Sequence, residues 1–179
     1  MPYQEETIKT IVDRLNTQYF LPAIQREYIW KPHQVILLFD SIMRGYPISS
    51  FLFWELTREN RDRWELYDFA MEAHSDGTRH IKRHAVDGIH NVTVVLDGQQ
   101  RLTSILIGLK GIYRIRNRGK WAAIPENSPE YVLYIDLFED SKPEDEDHEF
   151  TGKPYYGLNF RRKKDTIVND AQHHWLRVG

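Results

Sequence analysis

The sequence predicts an α/β (α+β) fold, a small mixed sheet flanked by helices. Three observations predict it. Apolar residues recur at helical spacing in three places, short β-rich runs fall between them, and one such run passes through a glycine turn into the strongest helical stripe.

Ile8, Ile11, Val12 and Leu15 form one face of an early helix with acidic residues in its first turn. A second helix opens at Pro32, whose missing N–H is harmless at the first helical position. Val35, Leu38, Phe39 and Ile42 form its buried stripe, and Gly45 with Pro47 ends it. Phe51-Leu52-Phe53-Trp54 reads as a strand buried on both faces. Trp64 to Tyr67 alternates like a shorter, half-exposed strand. From Met71 to His90 the chain is polar and irregular, either a hairpin with a long loop or an insertion. Val92, Val94 and Leu96 make a strand that runs into Asp97-Gly98, and Leu102, Ile105, Leu106, Leu109, Ile112 and Tyr113 repeat at helical spacing behind it. Tyr131 to Leu137 is a further β-rich run, followed by an acidic loop from Glu139 to Glu149. Tyr155 to Phe160 reads as a last strand before the basic run Arg161-Arg162-Lys163-Lys164. His174 to Gly179 has the character of an element beginning, so residues 1–179 are expected to be one domain of a longer protein.

Composition narrows the function. The chain has 179 residues, enough for one domain with a real core. Its five Trp and ten Tyr argue against disorder, and its net charge of −2 provides no global field for nucleic acid. Without Cys there are no disulfides, thiolate metal sites or thiol catalysis. The apolar runs are too short to span a bilayer, so no membrane partner is expected. The polar, acidic N-terminus is unlike a signal peptide, and the protein reads as cytoplasmic.

The stretch Asp97-Gly98-Gln99-Gln100-Arg101 carries the most chemistry. A glycine turn feeding a helix leaves backbone N–H groups unpaired, and with the helix dipole these form an anion site whose usual guest is phosphate. The alternative is a simple cap, with Asp97 as N-cap and Gln100 reaching back. Capping leaves Arg101 unexplained, because a cation in the first turn opposes the dipole by about 0.3–1 kcal/mol. A second stretch runs from Leu21 to Pro32 and contains Gln25, Arg26, Tyr28 and Trp30. Arg26, Tyr28 and Trp30 share one side of an extended segment, where a guanidinium grips phosphate and a ring stacks on a base. The alternative is a surface strand whose aromatics pack on the next helix.

Other constellations are weaker. His74, His80, His84 and His90 lack the fixed spacing of a zinc site, and no metal ligand set is assigned. His173 and His174 read as exposed tail residues. No Walker or dinucleotide-fold glycine motif and no nucleophile elbow occurs. Lys110, Arg114, Arg116, Arg118 and Lys120 crowd the end of the long helix, as dipole compensation or as a DNA-phosphate patch that Arg161 to Lys164 would extend.

Taken together, I-Q-R-x-Y-x-W (Ile24 to Trp30), G-Y-P-I (Gly45 to Ile48), an apolar strand ending at Trp54 and V-L-D-G-Q-Q-R-L-T-S (Val95 to Ser104) resemble the N-terminal domain of GmrSD-type restriction endonucleases. The resemblance covers about Ile8 to Trp175. It implies a ParB/sulfiredoxin-like fold that binds and hydrolyses a nucleoside triphosphate, GTP, ATP or CTP, and regulates a C-terminal His-Asn-His nuclease domain or partner subunit in phage defence. DNA would be engaged through the full-length protein, and a homo-oligomer is compatible with this scheme. Asp97 to Arg101 would be the nucleotide-phosphate motif, and Gln25 and Arg26 would approach the same pocket. The Gly98 and Gln99 N–H groups would hold phosphate, Arg101 would neutralise developing charge, and Gln99 or Gln100 would orient water. Asp97 would cap the helix or assist Mg²⁺, and Tyr28 and Trp30 would stack on the base. No nuclease module fits in this chain, and sulfiredoxin chemistry is excluded by the missing Cys. The competing readings are a ParB-like DNA-binding module without enzymatic activity and a nucleotide sensor without turnover.

Overall fold

The computed structural model describes residues 5–23, 27–61, 63–77, 83–84, 91–117, 119–121, 125–139 and 153–179. Its elements are α1 (Ile8–Arg14), β1 (Tyr19–Pro22), α2 (Pro32–Met43), β2 (Leu52–Leu56), a single turn α3 (Arg58–Arg61), β3 (Leu66–Tyr67), β4 (Glu72–His74) and β5 (Arg83–His84). After them come β6 (Val92–Asp97), α4 (Gln99–Lys110), β7 (Ile112–Arg114), β8 (Glu130–Asp136), β9 (Gly157–Arg162) and β10 (Trp175–Arg177). The class is α/β as expected, but two mixed sheets stand in place of one.

The first sheet has the order β2-β6-β1-β3-β5, and in it β6 runs parallel to β1 and antiparallel to β2. The second has the order β10-β8-β7-β4, with β9 also paired to β8. Helix α4 lies between them. Residues Leu102 to Gly108 are all buried, so this helix has no solvent face over two turns. Leu102, Ile105 and Leu106 join Val12, Leu15, Leu21, Leu38 and Val95 in one core, while Ile107 joins Val35, Phe39, Tyr113, Leu133, Leu158 and Phe160 in another. A Cβ on Gly108 would come within 2.3 Å of Phe39 Cε2, so glycine is what lets α2 and α4 cross this closely. A third cluster on the far face of the first sheet contains Phe20, Leu56, Leu66, Val92 and Val94, closed by the edge-on pair Trp54 and Trp64.

Four element-level expectations change. Helix α1 starts on Thr7, whose hydroxyl accepts from Thr10 N–H at 3.2 Å, and its first turn holds no acid. Glu6 instead pairs with Arg14 at 2.7 Å. The strand buried on both faces is β6, held between β2 and β1; β2 lies at the sheet edge and leaves Leu52 half exposed. Helix α4 ends at Gly111, and Ile112 and Tyr113, which continue its apolar period, belong to β7. The C-terminal stretch forms β10, which pairs antiparallel with β8.

Candidate functional site

The turn between β6 and α4 is built on Gly98, at φ +85° and ψ +10°. This left-handed conformation favours glycine, and it makes Gly98 the N-cap in place of Asp97. A Cβ at Gly98 would also lie 2.3 Å from Phe51 Cδ1, so the Phe51 ring rests directly on the turn. With no side-chain cap, the N–H groups of Gln99, Gln100 and Arg101 have no protein acceptor among the described residues, and the first returning bond is Leu102 N–H to Gly98 O at 2.9 Å. The helix has twelve residues, and unpaired N–H groups at such an end favour negative charge.

The two glutamines divide their work. Gln99 Nε2 donates to Val95 O at 2.9 Å, folding back on β6. Gln100 does not close a capping box. Its Nε2 donates to Glu27 O at 2.9 Å and its Oε1 accepts from Ile29 N–H at 3.2 Å, so both ends of the amide strap residues 27–29 to the helix. The strap begins directly after Gln25 and Arg26, which themselves lie outside the described residues.

Arg101 has partners that local sequence could not show. Its Nη1 donates to Ile48 O, its Nη2 donates to Ser50 O at 3.0 Å, and Asp97 Oδ2 lies 3.4 Å from Nη2. The guanidinium lies over the Phe51 ring, 4.8 Å from the centroid. Two carbonyls and a carboxylate thus offset the unfavourable dipole position, and no bound anion is needed to account for it. The Arg101 side chain is 17% exposed and that of Asp97 72%. Asp97 thus presents a carboxylate at the turn that is open to solvent.

Tyr28 and Trp30 are committed to packing. Tyr28 donates to or accepts from Ser104 Oγ at 2.9 Å, its ring packs on the second core, and burial raises its pKa. Trp30 packs on the first core, and its carbonyl accepts from Tyr113 O–H at 2.9 Å. Burial, with a lesser push from Asp76, raises the Tyr113 hydroxyl to about 12. The exposed apolar residues flanking the turn are Ile29, Leu52 and Leu96.

Four of the cations at and beyond the end of α4 pair with acids. Lys110 pairs with Asp13 at 2.8 Å, Arg114 with Glu72 and with Glu130 at 2.7 Å, Arg116 with Asp76 at 3.6 Å, and Lys163 with Glu130 at 3.1 Å. Arg118 lies outside the described residues, as do His80 and His90. Among the described residues, no group of three His, Cys, Asp or Glu is arranged to hold a metal ion, and no helix is long and apolar enough to cross a membrane.

Sequence reasoning missed one buried carboxylate and its histidine partner. Asp136, fully buried at its side chain, meets His173 Nδ1 at 2.5 Å and accepts the N–H groups of His174 at 2.8 Å and Phe138 at 3.1 Å. Burial pushes this carboxyl up, but those hydrogen bonds and the His173 charge outweigh it and hold the pKa below the ordinary 3.8. His173 is exposed, as expected, but it is tied to β8 through Asp136. The partners stand 37 residues apart, and no local signal joins them.

A family model described as GmrSD restriction endonuclease, N-terminal domain, matches residues 8–174. No curated protein matches the chain.

Proposed function

Since the chain belongs to the family of GmrSD restriction endonuclease N-terminal domains, we propose that the N-terminus of α4 binds the phosphates of a nucleoside triphosphate and supports its hydrolysis. One observation carries this reading. Gln100 joins the Asp97–Arg101 turn to the segment that directly follows Gln25-Arg26, so two motif stretches about seventy residues apart meet at one helix N-terminus.

In this reading the Gln99 and Gln100 N–H groups cradle phosphate. Exposed Asp97 assists Mg²⁺, which when bound neutralises phosphate charge. Gln99 is the better placed glutamine to orient the attacking water. Both ends of the Gln100 amide are engaged, whereas Gln99 Oε1 has no donor among the described residues. Water adds to the terminal phosphorus, the bond to the bridging oxygen breaks, and a nucleoside diphosphate and inorganic phosphate leave. Ile29, Leu52 and Leu96 supply apolar surface beside the phosphates for the rest of the nucleotide. The coupled output is control of a nuclease domain or partner subunit that acts on DNA.

A purely DNA-binding role has less support, because Lys110, Arg114, Arg116 and Lys163 of the basic set at and beyond the end of α4 are engaged in ion pairs. Titration with labelled GTP, ATP and CTP, followed by a phosphate-release assay, tests the proposal. Saturable binding of at least one nucleotide with steady phosphate release is expected. Binding without release would reduce the domain to a sensor. Absence of nucleotide binding, with salt-dependent DNA binding in its place, would refute the proposal.

A further inference from the structure

Arg101 lies in the motif that would hold phosphate, yet its side chain faces the chain's own loop. Its two Nη groups hold the carbonyls of Ile48 and Ser50. Between those carbonyls, Ser49 adopts φ +69°, a left-handed conformation that a residue with a side chain keeps only where its surroundings enforce it. The guanidinium covers the Phe51 ring, and Phe51 rests on Gly98. Guanidinium, ring and glycine turn form three layers, with the ring closing one side of the α4 N-terminus.

We propose that Arg101 is a positioning residue. It acts on bound nucleotide through the Ile48–Phe51 loop, fixing Phe51 as a wall over Gly98, and does not itself touch phosphate. This assignment rests on the reading of the α4 N-terminus as a nucleotide-phosphate site. The planar fork explains why arginine stands here. One fork spans two carbonyls while lying flat on a ring, whereas a lysine ammonium is a point charge that does neither. Lysine does bind phosphate as a point charge, so an arginine used for charge alone would be largely replaceable by it.

The test compares wild type, Arg101→Lys, Arg101→Gln and Phe51→Ala by amide hydrogen exchange and nucleotide titration. In nucleotide-free protein both Arg101 variants are expected to speed exchange at Ser50–Phe53 by about tenfold or more, the loss of two charge-assisted hydrogen bonds. Exchange at Thr93–Val95 and Ile105–Ile107 stays unchanged, which shows that the fold is retained. Lysine and glutamine weaken nucleotide binding to the same extent, within about threefold, and Phe51→Ala reproduces that loss with Arg101 in place. Lysine restoring wild-type affinity where glutamine does not, or unchanged exchange at Ser50–Phe53, would overturn the proposal. Failure of the site reading shows separately, as a wild-type chain that binds no nucleotide while Arg101→Lys still frees the loop.

Discussion

Gly98→Ala tests the geometry of the turn. Two penalties are expected. Alanine at φ +85° costs about 1–2 kcal/mol in the left-handed region. Its Cβ would lie 2.3 Å from Phe51 Cδ1 and 2.9 Å from Cε1, well inside contact distance, so ring or backbone must shift. Such overpacking costs about 1–3 kcal/mol. The lower entropy of the unfolded alanine chain returns about 0.4–1 kcal/mol, leaving a net loss of about 1–4.6 kcal/mol. Urea denaturation at unchanged m-value measures it. Repeating Gly98→Ala in a Phe51→Ala background removes the clash but not the backbone strain. The cycle should therefore show a coupling of about 1–3 kcal/mol between the two positions. A Gly98→Ala cost under about 0.5 kcal/mol, or additive single and double variants, would refute the placement of Phe51 on the turn.

Three further outcomes are expected. Asp136 has a folded pKa below its ordinary 3.8, so its contribution to stability is present above that value and is lost as pH falls through the folded one. Acid titration of wild type should show this loss, and Asp136→Asn should flatten that part of the curve; identical acid limbs would contradict it. Asp13 is lowered to about 2, first by its hydrogen bond from Lys110 and then by that from Lys9. In Lys110→Ala its carboxyl NMR titration should move up towards 3.8, and an unmoved midpoint would remove the α1–α4 ion pair from the account. Gln100→Ala releases two hydrogen bonds worth about 0.5–1.5 kcal/mol each. It should speed exchange of the Ile29 amide and weaken nucleotide binding, and neither change would occur if the strap were incidental.

Locally encoded features were legible in the sequence. Pro32 opens α2, Gly45 follows its end, and the strand–glycine–helix order at Gly98 is reproduced. What failed depended on partners distant in sequence. The helical period running through Ile112 and Tyr113 is interrupted because β4 pairs with this segment, with Ile112 N–H donating to Met71 O at 3.0 Å. The apolar run at β2 suggested burial on both faces, but that depends on having strands on both sides, and only β6 pairs with it among the described residues. At the site, glycine and the helix start were readable, but the use of Arg101 was not, because its carbonyl partners lie 51 and 53 residues earlier. Tyr28 and Trp30 have the chemistry of stacking residues, and only the packed structure shows them turned into the two cores.

The central claim is that nucleotide phosphate sits on the first turn of α4. Mapping backbone amide shifts while titrating the chain with GTP, ATP and CTP in the presence of Mg²⁺ tests it most directly. Saturable shifts at Gln99, Gln100 and Arg101 are expected for at least one nucleotide, with Ile29 and Phe51 following. Saturable binding that leaves those three amides unmoved would contradict it.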